Sequence, residues 1–233
     1  MQDLLSSCPV LEDLTIDGTI DVIFTAVRDH LKIFAPELKR LRINLEINRH
    51  PMYVYIDSPK LENIDLKMVG LTNFSLMGSA KSLVNANIVF REWSDHELDA
   101  KRQQVVCKCA VVLLDQVSNV KSLSLSAHCL KRTEGYEELS ELHWSPPEDM
   151  PLCFLSHLKT ISLKGFKGRR VEMEMVTFLL NNGHLLKKMT IATCPCLSYS
   201  KQEGLYKEFM MFHKATACHI GFMHADASLD STR

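Results

Sequence analysis

The sequence predicts an α/β fold of the solenoid kind: a curved parallel sheet of short strands, with helices and loops on the outer side, ending in a smaller α/β unit. Three observations predict it. A six-residue leucine-rich phrase recurs along the chain, its last residues alternate apolar and polar, and the segment after residue 150 switches between strand-like and helix-like periodicity.

The phrase L-x-x-L-x-[IL] opens as LEDLTI at 11–16 and returns as LKRLRI at 38–43, LENIDL at 61–66, LVNANI at 83–88 and VKSLSL at 120–125. It recurs as LSELHW at 139–144, LKTISL at 158–163 and LKKMTI at 186–191. Successive starts are 27, 23, 22, 37, 19, 19 and 28 residues apart, mostly in or beside the range of about 20–29 expected of leucine-rich repeats. Alternation such as Leu41-Arg42-Ile43 turns the aliphatic side chains to one face and the polar ones to the other. A lone strand of this kind cannot bury its apolar face, whereas parallel stacking closes a continuous core against the segments that return the chain.

SSCP (6–9), FAPE (34–37), IDSP (56–59) and MGSA (77–80) precede several copies and read as turns of that returning side. Cys8-Pro9 is accordingly expected on a tight bend with its thiol inward. The 37-residue spacing carries its own element. Ser94-Asp95-His96-Glu97 fits a capping box, and the apolar recurrence from Leu98 through Leu113 predicts a helix over 95–116, packed on the outer side.

The composition is that of an ordered chain of 233 residues, 46% hydrophobic and 24% charged, with a net charge of −1. That balance gives no global field toward nucleic acid or anionic lipid. Its longest apolar run, VVCKCAVVLL at 105–114, is about half the roughly 20 residues a membrane span requires, and MQDLLSSCPV is not a secretory signal. Neither nucleic acid nor membrane is therefore expected as a partner, and the chain is expected in the cytoplasm, the nucleus or both. The eight cysteines are scattered and read as reduced, mostly buried thiols.

Beyond residue 150, HLKTISLKGFKGRRVEMEMVTFLLNNGHLLKKMTI (157–191) predicts strand, glycine-containing turn, amphipathic helix, Asn-Asn-Gly stop and strand. YSKQEGLYKEFMMFHKATACHIGF (199–222) adds a second helix bearing Leu205, Phe209 and Phe212, then an edge strand over 217–222. This order, and the phrases LKGFKG, MEMVTFLLNN, LKKMTI and FHKATACHIGF, resemble the FBD domain of plant F-box/FBD/LRR-repeat proteins. SSCPVLEDLTI is similar to their leucine-rich repeats. The resemblance runs from Ser6 to Phe222 and implies a leucine-rich repeat region over 1–150, an FBD-like domain over 151–225 continuing it, and a disordered tail over 226–233.

In that family an F-box binds a Skp-type linker and docks the protein on a cullin-based ubiquitin ligase, while the repeats hold the substrate. No F-box helices precede Ser6 in this sequence, so linker and cullin are implied partners only through an F-box upstream. The resemblance thus implies a non-enzymatic substrate-recognition module; a scaffold or decoy of the same build without a ubiquitin role is the alternative.

No catalytic, cofactor or metal site is expected. Cys107 and Cys109, drawn together with His128 and Cys129 as a metal quartet, lie two apart on the expected helix and so point about 200° from each other. Cys194-Pro195-Cys196 lacks a second pair of ligands. Lys164-Gly165-Phe166-Lys167-Gly168-Arg169-Arg170 brings basic side chains to a helix start, where a phosphate is physically reasonable, but it is not a P-loop. The resemblance assigns it to a solvated strand-to-helix turn.

The remaining candidate is the polar side of the strands. In register, the residues between the two inward positions form a column of Thr15, Arg42, Asp65, Asn87, Ser124, His143, Ser162 and Thr190, flanked by Arg40, Asn63, Lys67, Asn85 and others. Arg40, Arg42, Asn63, Asp65, Lys67, Asn85, Asn87, Ser124, His143 and Ser162 are the expected contacts to a protein substrate, because a rigid ladder of hydrogen-bonding groups suits a protein segment.

Overall fold

The computed structural model describes residues 8–20, 30–47, 52–69, 72–77, 81–90, 113, 116–117, 119–126, 157–213 and 217–223. Eleven strands and two helices are described: β1 (Asp13–Ile20), β2 (His30–Phe34), β3 (Arg40–Ile47), β4 (Met52–Asp57), β5 (Asn63–Val69), β6 (Thr72–Met77), β7 (Asn85–Phe90), β8 (Ser122–Ser126) and β9 (Thr160–Phe166). Then come α1 (Arg170–Asn182), β10 (Lys188–Thr193), α2 (Tyr199–His213) and β11 (His219–Met223).

Eight strands form one open parallel sheet in the order β1-β3-β5-β7-β8-β9-β10-β11, so its rungs follow one another in chain order. The leucine phrases supply all of these rungs except β11. Their first apolar residue explains the regularity. Leu11, Leu38, Leu61 and Leu186 each donate an N–H to the carbonyl three residues back, from Cys8, Ala35, Ser58 and Gly183, closing a turn in which Pro9, Pro36 and Pro59 hold the second position. The same residue then dives into the core: Leu38 and Leu61 are fully buried. Directly after it, two successive N–H groups converge on one carbonyl of the preceding unit. Lys39 and Arg40 bond Glu12 O, Glu62 and Asn63 bond Lys39 O, and the contact repeats through Lys187 and Lys188 on Lys159 O.

The returning side of the amino-terminal half differs from the expected helices and loops. It is a second parallel sheet, β2-β4-β6. HLKIF, MYVYID and TNFSLM alternate apolar and polar as the first sheet does, so Leu31, Ile33, Val54, Ile56, Phe74 and Leu76 are buried. They join Leu41, Ile43, Leu66 and Ile88 of the first sheet in a single core. At β1 that core thins, since Leu14 and Ile16 are only partly buried.

The helix expected over 95–116 lies almost wholly outside the described residues. Leu113 is helical and buried; the Gln116 side-chain amide accepts the Leu76 N–H at 2.5 Å and donates to the Phe74 carbonyl at 3.1 Å. The strand expected at 139–144 also lies outside them, as do Cys107, Cys109, His128, Cys129 and the tail over 226–233. β8 is hydrogen-bonded directly to β9, so the column expected to run Ser124–His143–Ser162 passes from Ser124 straight to Ser162; His143 lies outside the described residues.

After β9 the ladder continues through an α/β unit. In the first turn of α1 the buried Glu172 carboxylate accepts the N–H groups of Lys167 (2.9 Å) and Arg169 (3.2 Å), and the helix ends where Gly183 N–H reaches Leu179 O. Its buried face carries Met175, Val176 and Leu179. α2 lies over the last rungs by an aromatic cluster: Phe166 and Phe209 meet edge to face at 5.6 Å, and Phe222 stands 6.0 Å from Phe209.

Two expectations about thiols change. Cys8 does lie at the start of a turn, but it is exposed. Cys194 and Cys196 are not free: the Pro195 turn holds their Cα atoms 5.2 Å apart and their sulfurs are joined. Cys218 is buried, and burial raises its thiol pKa.

Candidate functional site

The polar side of the large sheet is built by the pleat: once Leu41, Ile64, Ala86, Leu123 and Ile161 face the core, their neighbours must face the other way. The observed register is Thr15–Arg42–Asp65–Asn87–Ser124–Ser162–Thr190–Gly221. The column passes from charged residues at the amino-terminal rungs to small hydroxyls and a glycine. One step toward the strand starts, Asp13, Arg40, Asn63, Asn85, Ser122 and Thr160 are aligned; one step onward, Asp17, Asn44 and Lys67.

These groups are tied to one another across rungs. Arg42 donates from Nε to Asp65 Oδ2 at 3.0 Å, while Asn87 donates to Asp65 Oδ1 at 2.7 Å. Lys164 reaches back over the small β8 side chains to Asn87 Oδ1 at 3.4 Å. A polar chain therefore runs Arg42–Asp65–Asn87–Lys164 over β3, β5, β7 and β9. Beside it Asn85 donates to Asn63 at 2.7 Å, and Asn44 to Asp17 at 2.8 Å. At the first rungs Arg40 clasps Asp13 through Nε and Nη2. The Arg40 guanidinium holds the Asp13 carboxyl below its usual range, and Asp13 in turn raises the arginine. The bond to Glu12 raises Lys39 likewise.

The result is a shallow trough of about 550 Å³, lined from Asp13 and Arg40 to Ser122 and Ser124. Its floor is rigid strand, and its walls are side chains already fixed by neighbours. Such a surface lacks a nucleophile–base pair; it offers amides, hydroxyls and cations to a ligand. Among the described residues no group of three His, Cys, Asp or Glu side chains could hold a metal ion. The basic turn before α1 is not an anion cradle, because the Glu172 carboxylate occupies the backbone donors a phosphate would use.

Of the ten expected contact residues, nine share this face: Arg40, Arg42 and Asn85 are exposed, and Asn63, Asp65, Lys67, Asn87, Ser124 and Ser162 half-buried. His143 lies outside the described residues. Sequence reasoning missed Asp13 and Asp17, which an extension of the same register by one position in each direction would have found. It missed Gly221 because β11 does not carry the leucine phrase.

Comparison with known proteins agrees with the phrases quoted above. The FBD family matches residues 146–191. An F-box/FBD/LRR-repeat protein of Arabidopsis thaliana is 26% identical over 84% of this chain and 50% of its own length. A probable FBD-associated F-box protein from the same plant is 25% identical over 94% of the chain and 59% of its own length, and a further FBD-associated F-box protein is 28% identical over 84% and 50%. The chain thus spans about half to three-fifths of the length of these relatives. No solved structure matches it. The chain therefore carries an FBD match next to its leucine-rich rungs and resembles, over most of its length, the F-box/FBD/LRR-repeat proteins of plants.

Proposed function

We propose that this chain is a non-enzymatic protein-binding module, the substrate-recognition part of an F-box protein of a cullin-based ubiquitin ligase. Its leucine-rich region (1–150) and FBD-like region (151–225) wind as one solenoid whose strand face holds the substrate. The single observation that carries this reading is the in-register polar column on consecutive parallel rungs, in a chain similar to F-box/FBD/LRR-repeat proteins. A rigid ladder of hydrogen-bonding groups on a repeat scaffold is a surface for macromolecules. The Skp-type linker and cullin would be engaged through an F-box upstream of the repeats, and a ligase role puts the protein in the cytoplasm or nucleus.

The test is a pulldown with purified Skp-type linker and cullin, using this chain and a version extended by an F-box. Linker retained by the extended version, with a substrate that is lost on mutating Arg42 and Asn87, is the expected result. A substrate bound by the strand face with no ligase subunit retained by either version would make the chain a scaffold or decoy without a ubiquitin role. A partner that ignores the strand-face substitutions would refute the site.

A further inference from the structure

We propose that the Cys194-Pro195-Cys196 turn is a redox-modification site, a dithiol–disulfide couple that exchanges with low-molecular-weight disulfides of the glutathione type. The turn follows the end of β10 and leads into α2, and the couple stands independently of the strand-face reading above.

Its backbone is set without help from the sulfurs. Cys194 N–H donates to Phe166 O at 2.8 Å, and Leu197 N–H closes the turn on Cys194 O at 3.1 Å with Pro195 in the second position. The Gln202 side-chain amide then holds Leu197 O at 2.9 Å. These bonds keep the two Cα atoms 5.2 Å apart, a span that a disulfide bridges, so one backbone serves both oxidation states. The bridge is also a poor structural staple. A cross-link constrains the unfolded chain more as its loop lengthens, and these sulfurs are only two residues apart in sequence. A bond that adds little to folding is free to open and close.

The two sulfurs are unequal. Cys196 is exposed; Cys194 is half-buried, and its Sγ accepts the Cys196 N–H at 3.4 Å. A backbone donor on sulfur favours the thiolate, and no acidic side chain in the first turn of α2 opposes it. Cys196 is therefore the sulfur that an outside thiol or disulfide reaches, and Cys194 the one that resolves or leaves. Among the described residues no third His, Cys, Asp or Glu joins them as a metal ligand.

In the oxidising direction the Cys196 thiolate attacks one sulfur of glutathione disulfide, forming a mixed disulfide and releasing one glutathione thiolate. Cys194 thiolate then attacks Cys196 Sγ, which forms the intrachain bond and releases the second glutathione. Two electrons pass from the protein dithiol to the glutathione disulfide, and the two cysteine protons end on the two glutathione thiols. Reduction reverses these steps: glutathione thiolate attacks Cys196 Sγ and Cys194 departs.

The experiment equilibrates the full chain in glutathione buffers of graded ratio, quenches with acid and alkylates the remaining thiols. The tryptic peptide Met189–Lys201, in which Cys194 and Cys196 are the only cysteines, is then weighed by mass spectrometry. Its bridged fraction should pass from about one part in ten reduced to about one part in ten oxidised over about a hundredfold change in squared glutathione over glutathione disulfide, as a two-electron couple requires. Cys194→Ser should retain a glutathione adduct on Cys196, and Cys196→Ser at least about tenfold less on Cys194. A dithiol at every ratio, a bridge that persists at every ratio, or equal adducts on the two serine variants would overturn the proposal.

Discussion

Glu172 shows how one side chain settles a functional question. Only 5% exposed, it accepts two backbone N–H groups from the turn that the basic residues had suggested for phosphate. Glu172→Ala leaves those donors unsatisfied and should cost about 2–3 kcal/mol in urea denaturation, with Glu172→Gln losing about half as much because an oxygen remains. A loss near zero for both would mean that water replaces the carboxylate freely. Asp13 offers a second reading at this scale. Its carboxyl is held low by the Arg40 hydrogen bond, so the native state binds this proton less readily than the unfolded chain. The pair's contribution is therefore present above the ordinary carboxylate range and fades as pH falls through the lowered native value. An NMR titration should find Asp13 below that range, and Arg40→Ala should move it upward. At the same scale, the exposed Cys8 should be alkylated at neutral pH well before Cys218, whose burial keeps the thiol protonated; equal rates would contradict the described packing.

At the scale of elements, among the described residues the β2-β4-β6 sheet ends against a side chain rather than another strand. Gln116 presents an oxygen to Leu76 N–H and an amide to the Phe74 carbonyl, mimicking the backbone of a further neighbour and closing the exposed edge of β6. Gln116→Ala should cost about 1–2 kcal/mol and raise amide exchange selectively in β6; unchanged exchange there would assign the edge to other groups. Much of this level was legible in the sequence. The leucine phrase located seven rungs because each copy encodes a turn, a buried anchor and an alternating strand. β2, β4 and β6 escaped notice although HLKIF and MYVYID alternate as clearly, because none of them carries the L-x-x-L-x-[IL] spacing to which the search was keyed. The same spacing placed LSELHW between β8 and β9, which are paired directly through Ser124 and Ser162, and that phrase lies outside the described residues. Of the binding face, the residue columns were readable from the period of two, but not which charges would neutralise each other, since that depends on rotamers across rungs 22 to 77 residues apart in sequence.

Across the whole molecule, one aliphatic core runs from Leu31 to Cys218, yet each strand is hydrogen-bonded only to the rungs beside it. If the chain winds as a solenoid, its stability is a sum of rung and nearest-neighbour terms, and a defect should be felt locally before it is felt everywhere. Leu66 is fully buried at the centre of the amino-terminal half, where the two sheets share the core, so Leu66→Ala should cost about 2–5 kcal/mol. In amide hydrogen exchange the loss of protection should fall on β3, β5, β7 and the facing strand β4, leaving β10 and β11 near their original values. Ile191→Ala should produce the converse, loosening β9 to β11 while sparing β3. Uniform loss across all rungs in both variants would show a single cooperative domain instead. The strand face would then be prearranged by the entire fold rather than rung by rung, and a partner gripping Arg42 and Asn87 together would stiffen the chain from end to end.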